Sequence, residues 1–216
     1  GIYYVKVSPG LSDHKTNRSD VKASSDYKLN IYLLKGKISE QNYLIEKENN
    51  DSIENAQKII QKQNVLGYYS PFLNRTYKSS TIKTILNSVK KQTNKNFFDK
   101  DLDVYHFSIS EKGEYRLQLE LSKVIDIDST IILFDQKYID NLKLSKEAIK
   151  KLRTKEKGCF LIIDSHPYDK GEGIANYKIF GNNKYYLIVT SLRRLNYQSI
   201  DKIFKTPYEL KFKVSV

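Results

Sequence analysis

From residue 103 onward the chain alternates apolar and polar residues with a period of two, in "DVYHFSI" at 103–109 and "EYRLQLEL" at 114–121, and then runs into the apolar "STIILFD" at 129–135. Side chains along a strand point to opposite faces, so a period of two marks one face for a core and the other for water. These segments follow one another about a dozen residues apart with no helical pattern between them. That spacing excludes a parallel sheet fed by alternating helices and points to an all-β, antiparallel sandwich. The turn "SEKGE" is expected to close the first two segments into a hairpin. Further strands are expected in "VLGYYSPF", in "CFLIID", in a short segment within "GEGIANYKIF", in "YYLIV" after an Asn-Asn turn, and in "YELKFKV".

Helical spacing is confined to a few places. "STIKTILNSVKKQTNKN" sets Ile82, Ile85, Leu86 and Val89 on one face, which predicts a helix capped by Ser79 or Ser80. "SKEAIKKLRTKEKG" predicts a short helix with Ser145 as its N-cap and Gly158 beyond its C-terminus. "SIENAQKIIQ" reads as helical or turn-like, with Asp51 or Ser52 as its cap.

The strand pair "YYVKV" and "YKLNIYL", with Tyr3 and Tyr27 24 residues apart, parallels the pair "YYLIV" and "YELKFKV", with Tyr185 and Tyr208 23 apart. Residues 1–35 therefore read as the closing strands of one unit, 36–44 as a polar linker and 45–216 as a complete second unit. Gly1 stands directly before strand-like "IYYVKV", as in a piece of a longer chain.

Lys and Arg number 37 against 25 Asp and Glu, a formal net charge of +12. Most lysines stand singly in alternating segments, the pattern of solvated strand faces. The basic stretch 72–98, with Arg75, Lys78, Lys83, Lys90, Lys91 and Lys95, is the alternative: a contact surface for a polyanion such as a nucleic acid or sulfated glycan. The single cysteine, Cys159, excludes an internal disulfide and suits a small buried apolar position. No apolar run approaches the length of a membrane-spanning helix.

Catalytic constellations are not apparent. Of His14, His106 and His166, His106 lies mid-strand on the face opposite Tyr105 and Phe107. Cys159 and Asp164 stand at the two ends of one strand, and Ser165 and His166 are neighbours whose side chains diverge. No zinc-protease, phosphate-loop or dinucleotide signature is present, so no catalytic residue is assigned and the chain reads as a non-enzyme.

The densest cluster of oxygen-bearing side chains is "IEKENNDSIENAQKI" at 45–59, with Glu46, Glu48, Asn50 and Asp51. A helix start would use only Asp51 or Ser52. A divalent-cation site would use all four, because calcium takes six to eight oxygen ligands. A solvated linker in a lysine-rich chain would use none.

Taken in order, "EKENNDSIENAQKI", "DKDLDVYHFSISEKGEYRLQLEL", "DSTIILFD", "GEGIANYKI", "NKYYLIVTS" and "YELKFKV" resemble the bacterial pre-peptidase C-terminal domain family. That family includes the collagen-binding domains of clostridial collagenases. The resemblance spans about 45–216, with 1–34 similar to the end of a preceding copy. It implies a jelly-roll-like sandwich serving as an accessory module of a secreted or cell-surface protein, with an extracellular protein or glycan and neighbouring domains of the same chain as partners, and nucleic acid disfavoured. It also implies calcium, Ca2+, held by Glu46, Glu48, Asn50 and Asp51 together with Asp101, Asp103 and the nearby Asp99. The insertion at 72–98 departs from the family pattern just before those aspartates. Strand tyrosines serve the collagen-binding relatives as contacts, and Tyr186, Tyr197 and Tyr208 are the candidates here.

Overall fold

Among the described residues the pattern of alternation resolves into two five-stranded sheets. The computed structural model describes residues 43–47, 50–61, 63–67, 69, 79–93, 102–124, 127–153, 156–166, 170–194 and 207–216. All of these fall in the unit Ile38–Val216. The expected strand pair in 1–35 lies outside the described residues.

The strands are β1 (Tyr43–Ile45), β2 (Gln57–Lys58), β3 (Asn64–Gly67), β4 (Asp103–Ile109), β5 (Glu114–Leu121), β6 (Ile127–Asp135), β7 (Phe160–Ile163), β8 (Glu172–Phe180), β9 (Asn183–Arg194) and β10 (Tyr208–Ser215). One sheet has the order β1-β3-β10-β5-β8 and the other β2-β4-β9-β6-β7. Tyr43 and Leu44, expected in the linker, belong to β1, which pairs in parallel with β3. From β3 onward the antiparallel pairs are nested: β6 with β7, β5 with β8, β4 with β9, and β3 with β10. That nesting, split over two sheets, is the jelly-roll connectivity.

The expected hairpin between β4 and β5 does not form. β4 pairs with β9 in one sheet and β5 with β8 and β10 in the other, so the turn at 110–113 carries the chain across the sandwich. The turn at 181–182 crosses back beside it. Gly181 N–H donates to the Gly113 carbonyl at 2.9 Å and Asn182 N–H to that of Glu111 at 3.1 Å. A Cβ on Gly181 would meet the Glu111 carbonyl oxygen at 1.7 Å, so only glycine allows the two crossings to touch. A crossing needs the same turn residues as a hairpin, which is why alternation plus a glycine turn did not tell them apart.

Between the sheets lies a core that includes Val65, Tyr105, Phe107, Leu117, Leu119, Leu121, Ile131, Leu133, Leu187, Val189, Leu210 and Phe212. A second apolar layer covers the outer face of the β4–β9–β6 sheet. There the helix α1 (Ser80–Thr93) buries Ile82, Ile85, Leu86 and Val89 against Val104, Ile132, Phe134, Tyr186 and Ile188. Each such side chain contributes about 1.5–3 kcal/mol on burial, enough to hold a helix that is marginal alone. Ser79 caps it as expected, its Oγ accepting from Ile82 N–H. Both faces of β6 are thereby covered, and all nine of its residues are buried.

Two helical expectations change. The stretch after Asp51 is a turn, with Asn55 N–H donating to Ser52 Oγ at 3.2 Å, and it leads into β2 rather than a helix. The helix capped by Ser145, α3 (Lys146–Lys151), ends at Leu152, well before Gly158. A further helix, α2 (Gln136–Asn141), starts directly from β6, its N-cap Asp135 accepting from Tyr138 N–H at 2.8 Å.

Candidate functional site

One end of the sandwich gathers oxygen-bearing side chains from segments far apart in the sequence. Glu46 follows β1, and its N–H donates to the Leu66 carbonyl at 2.9 Å, extending the β1–β3 ladder. Asn50 lies against the start of β4, its carbonyl accepting from Val104 N–H at 3.1 Å. Asp103 opens β4 and is only 1% exposed. Tyr208 opens β10 opposite Gly67, the last residue of β3.

Gly67 makes room for this arrangement. A Cβ there would fall 2.3 Å from the Tyr208 hydroxyl and 2.7 Å from Glu46 Oε2, so the hydroxyl and the carboxylate flank one point above its Cα. The Tyr208 hydroxyl lies 2.6 Å from Asp103 Oδ2, and the Tyr105 hydroxyl 2.6 Å from that of Tyr208. An ionised carboxylate only accepts, so Tyr208 spends its proton on Asp103 and Tyr105 donates to Tyr208. Burial, then the negative charges of Asp103 and Glu46, push the Tyr105 hydroxyl well above its ordinary pKa. Burial and Asp103 do the same to Tyr208, followed by Tyr105 and Glu46. The Tyr69 ring packs 5.2 Å from that of Tyr208 and its hydroxyl reaches Ser129 Oγ at 2.9 Å, closing the network toward the core.

Asn50 is the residue that this network leaves unexplained. It is 2% exposed, and neither its Oδ1 nor its Nδ2 has a hydrogen-bond partner among the described residues. Leaving a buried amide group unsatisfied costs about 1–3 kcal/mol, so the site calls for a further group beside it. Glu46 Oε1, Asp51 Oδ1 and Asp103 Oδ1 are buried as well. An all-oxygen donor set of carboxylates and an amide suits a hard cation such as calcium and not a soft transition metal. Among the described residues no group of three or more His, Cys, Asp or Glu is arranged to hold a metal. Such a group would leave out Asn50, and the expected ligands Glu48, Asp99 and Asp101 lie outside the described residues.

The other sequence candidates separate. Tyr186 and Tyr208, expected as surface contacts, are buried at 3% and 0% exposure. Tyr186 stacks on Phe134 with centroids 5.5 Å apart and donates to Gln136 Oε1, so neither ring offers a binding face. Tyr197 lies outside the described residues. For Tyr208 the signal was present in "YELKFKV": alternation places it with Leu210, Phe212 and Val214 on the apolar face. Tyr105 was within reach of the sequence, two residues after Asp103 on the same face of β4, whereas nothing in the sequence marked Gly67, which only the β3–β10 pairing brings to Tyr208.

Of the basic residues proposed for a polyanion, Lys83, Lys90 and Lys91 are exposed on α1, opposite its buried face. Arg75, Lys78 and Lys95 lie outside the described residues. The His166 region does not form a hydrolytic constellation: Ser165 and His166 donate their backbone N–H groups to the buried carboxylate of Glu172 at 2.7 and 3.0 Å. Cys159 lies 3.7 Å from the Tyr177 hydroxyl, and burial pushes its thiol up to about 11, the opposite of an activated nucleophile.

No protein-family model matches the chain, and no curated protein matches it. Among solved structures it is similar to the pre-peptidase C-terminal domain of collagenase from Bacillus anthracis. The two are 11% identical, the match covers 74% of this chain and 94% of that chain, and the TM-score is 0.33. Among the described residues no helix is long and apolar enough to cross a membrane.

Proposed function

We propose that residues 45–216 form a non-catalytic accessory module of a secreted or cell-surface protein, a β-sandwich stabilised by calcium and used for adhesion or substrate targeting. The observation that carries the calcium reading is Asn50, whose amide oxygen is buried without a hydrogen-bond partner among the described residues, on a segment whose backbone bonds Val104 next to the buried Asp103. Glu46, Asn50 and Asp103 would hold the ion, with Asp51, Glu48, Asp99 and Asp101 as further ligands from adjoining sequence. The ion would tie the segment after β1 to the start of β4. Its role is structural: it draws together carboxylates that otherwise repel one another and gives the buried Asn50 amide oxygen a partner. An extracellular protein or glycan is the proposed partner of the module.

Thermal unfolding in excess chelator and then in millimolar calcium, with magnesium as control, tests the reading. An ion at a hundred times its dissociation constant adds about 2.7 kcal/mol. For a unit of this size that raises Tm by roughly 5–10 °C. A calcium-specific rise that Asn50→Ala abolishes supports the site. No rise, or an equal rise with magnesium, overturns it.

A further inference from the structure

The outer face of the β2–β4–β9 corner carries a feature that neither the core nor the acidic site uses. Register places Lys58 beside His106 and His106 beside Tyr186, so the three side chains form one row across β2, β4 and β9 on the same face. Lys184 stands opposite Ser108 in the next row, two residues along both strands. The rest of the row, Phe134 and Phe160, disappears under Tyr138 of α2, with Tyr138 and Phe160 stacked at 4.6 Å. Val104 and Ile188 are buried with α1 in the same apolar layer. Lys58 and Ser108 are exposed, and His106 and Lys184 are half-buried.

The chemistry of this corner is one-sided. The Lys184 ammonium sits 4.9 Å from the centroid of the Tyr186 ring, whose own hydroxyl is engaged by Gln136, and the ring fixes the ammonium over the sheet. The His106 ring packs 6.2 Å from the same tyrosine. His106 Nδ1 is buried and has no partner among the described residues, which leaves Nε2 as the ring nitrogen free to meet a ligand. The charged groups that act on this imidazole are Lys184 and Lys58, and with burial as the larger cause they hold its pKa below the ordinary value. Neither lysine is in an ion pair among the described residues. Among the described residues, donors and positive charge thus meet without a carboxylate paired to them.

We infer that Lys58, His106 and Lys184 form a binding site for an oxyanion, a sulfate or phosphate group, on the uncovered corner of the β2–β4–β9 face. A tetrahedral oxyanion presents several acceptors to several donors, and two ammonium groups flanking an imidazole N–H supply that complement. The site is independent of the calcium reading, since it lies on the outer face of the sheet and shares no residue with the acidic cluster. It also differs from the basic face of α1, which has lysines but neither an imidazole nor a ring to fix them.

NMR titration of the His106 ring resonances tests this in the intact chain at constant ionic strength, set with chloride. Inorganic sulfate and inorganic phosphate are the probes, and methyl sulfate stands for an ester carried on a larger molecule. The expected result is a saturable shift at His106 with sulfate or phosphate. The double variant Lys58→Ala/Lys184→Ala should weaken it at least fivefold and Lys90→Ala/Lys91→Ala should leave it unchanged. Saturation by methyl sulfate as well marks a site open to esters, and saturation by the inorganic anions alone marks a site for the free ion. No saturable shift with any probe overturns the inference, as does equal weakening by the two double variants. Lys58, Lys90 and Lys91 are exposed and Lys184 is half-buried, so both variants should fold, and retained unfolding midpoints check that they do.

Discussion

Removing one oxygen atom from Tyr208 separates a buried hydrogen-bond chain from mere packing. In Tyr208→Phe the ring keeps its place against Tyr69, at 5.2 Å, and above Gly67. What is lost is the link between the Tyr105 hydroxyl and Asp103 Oδ2, each 2.6 Å from the deleted oxygen. A hydrogen bond to a charged group contributes about 1.5–3 kcal/mol, and a buried group left unsatisfied costs about 1–3 kcal/mol. With Asp103 1% exposed and Tyr105 fully buried, water does not replace the lost oxygen, and the expected loss is about 2–4 kcal/mol. Urea unfolding followed by circular dichroism, in excess chelator, should show a lower midpoint at unchanged slope. Tyr105→Phe alone should cost less, because Tyr208 keeps its bond to Asp103. The double variant should cost less than the two single losses together, since removing Tyr105 also removes one of the groups stranded by Tyr208→Phe. A loss under about 0.5 kcal/mol for Tyr208→Phe, or strict additivity in the double variant, would refute the chain from Tyr105 through Tyr208 to Asp103.

Other expectations follow. Asp51→Ala and Glu48→Ala should each abolish the calcium-induced rise in Tm while Lys90→Ala leaves it intact, as read by thermal unfolding with and without chelator. Cys159, with its thiol held near 11 against an ordinary 9.0, should react with a disulfide reagent at pH 8 on the order of a hundredfold more slowly in the folded chain than in urea. Because the folded state keeps this proton after the unfolded chain has released it, the thiol's contribution to stability is full below pH 9 and lost as pH rises toward about 11; a flat unfolding midpoint over that window would contradict it. Ile85→Ala, at a position with no exposure, should destabilise the chain by about 2–5 kcal/mol, whereas Lys83→Ala on the opposite face of α1 should change the urea midpoint by less than about 0.5 kcal/mol.

The strands and α1 were legible because burial leaves a period in the sequence. Alternation in "DVYHFSI" and "YELKFKV", and the 82-85-86-89 spacing, each matched the face that is buried. Partnership between strands leaves no such trace. The turn at 110–113 was read as a hairpin although β4 and β5 lie in different sheets, and α2 was missed because six residues hold less than two helical turns and its cap, Asp135, ends a strand. At the acidic end, the oxygen-rich segment itself was visible. Its surroundings were only partly so: Tyr105 follows Asp103 on one face of β4, whereas Gly67 and Tyr208 meet only through the β3–β10 pairing. The tyrosines misled for a related reason: in β9 both faces are covered, so Tyr185 and Tyr186 are buried side by side and no alternation betrays which ring is free.

The nested pairing also has a kinetic side. β6 and β7 meet across a short stretch of chain, whereas β3 and β10 join residues such as Gly67 and Tyr208 that are separated by most of the sandwich. Loop closure favours the inner pairs first, and contacts of large sequence separation are the slow ones. The acidic end is completed only when Tyr208 docks against Gly67, so it belongs to the late part of assembly. Interactions absent from the transition state act on escape from the native state rather than on arrival. A ligand held there should therefore lengthen the lifetime of the folded module while leaving its refolding rate nearly unchanged, so its effect is on how long the fold persists rather than on how fast it forms.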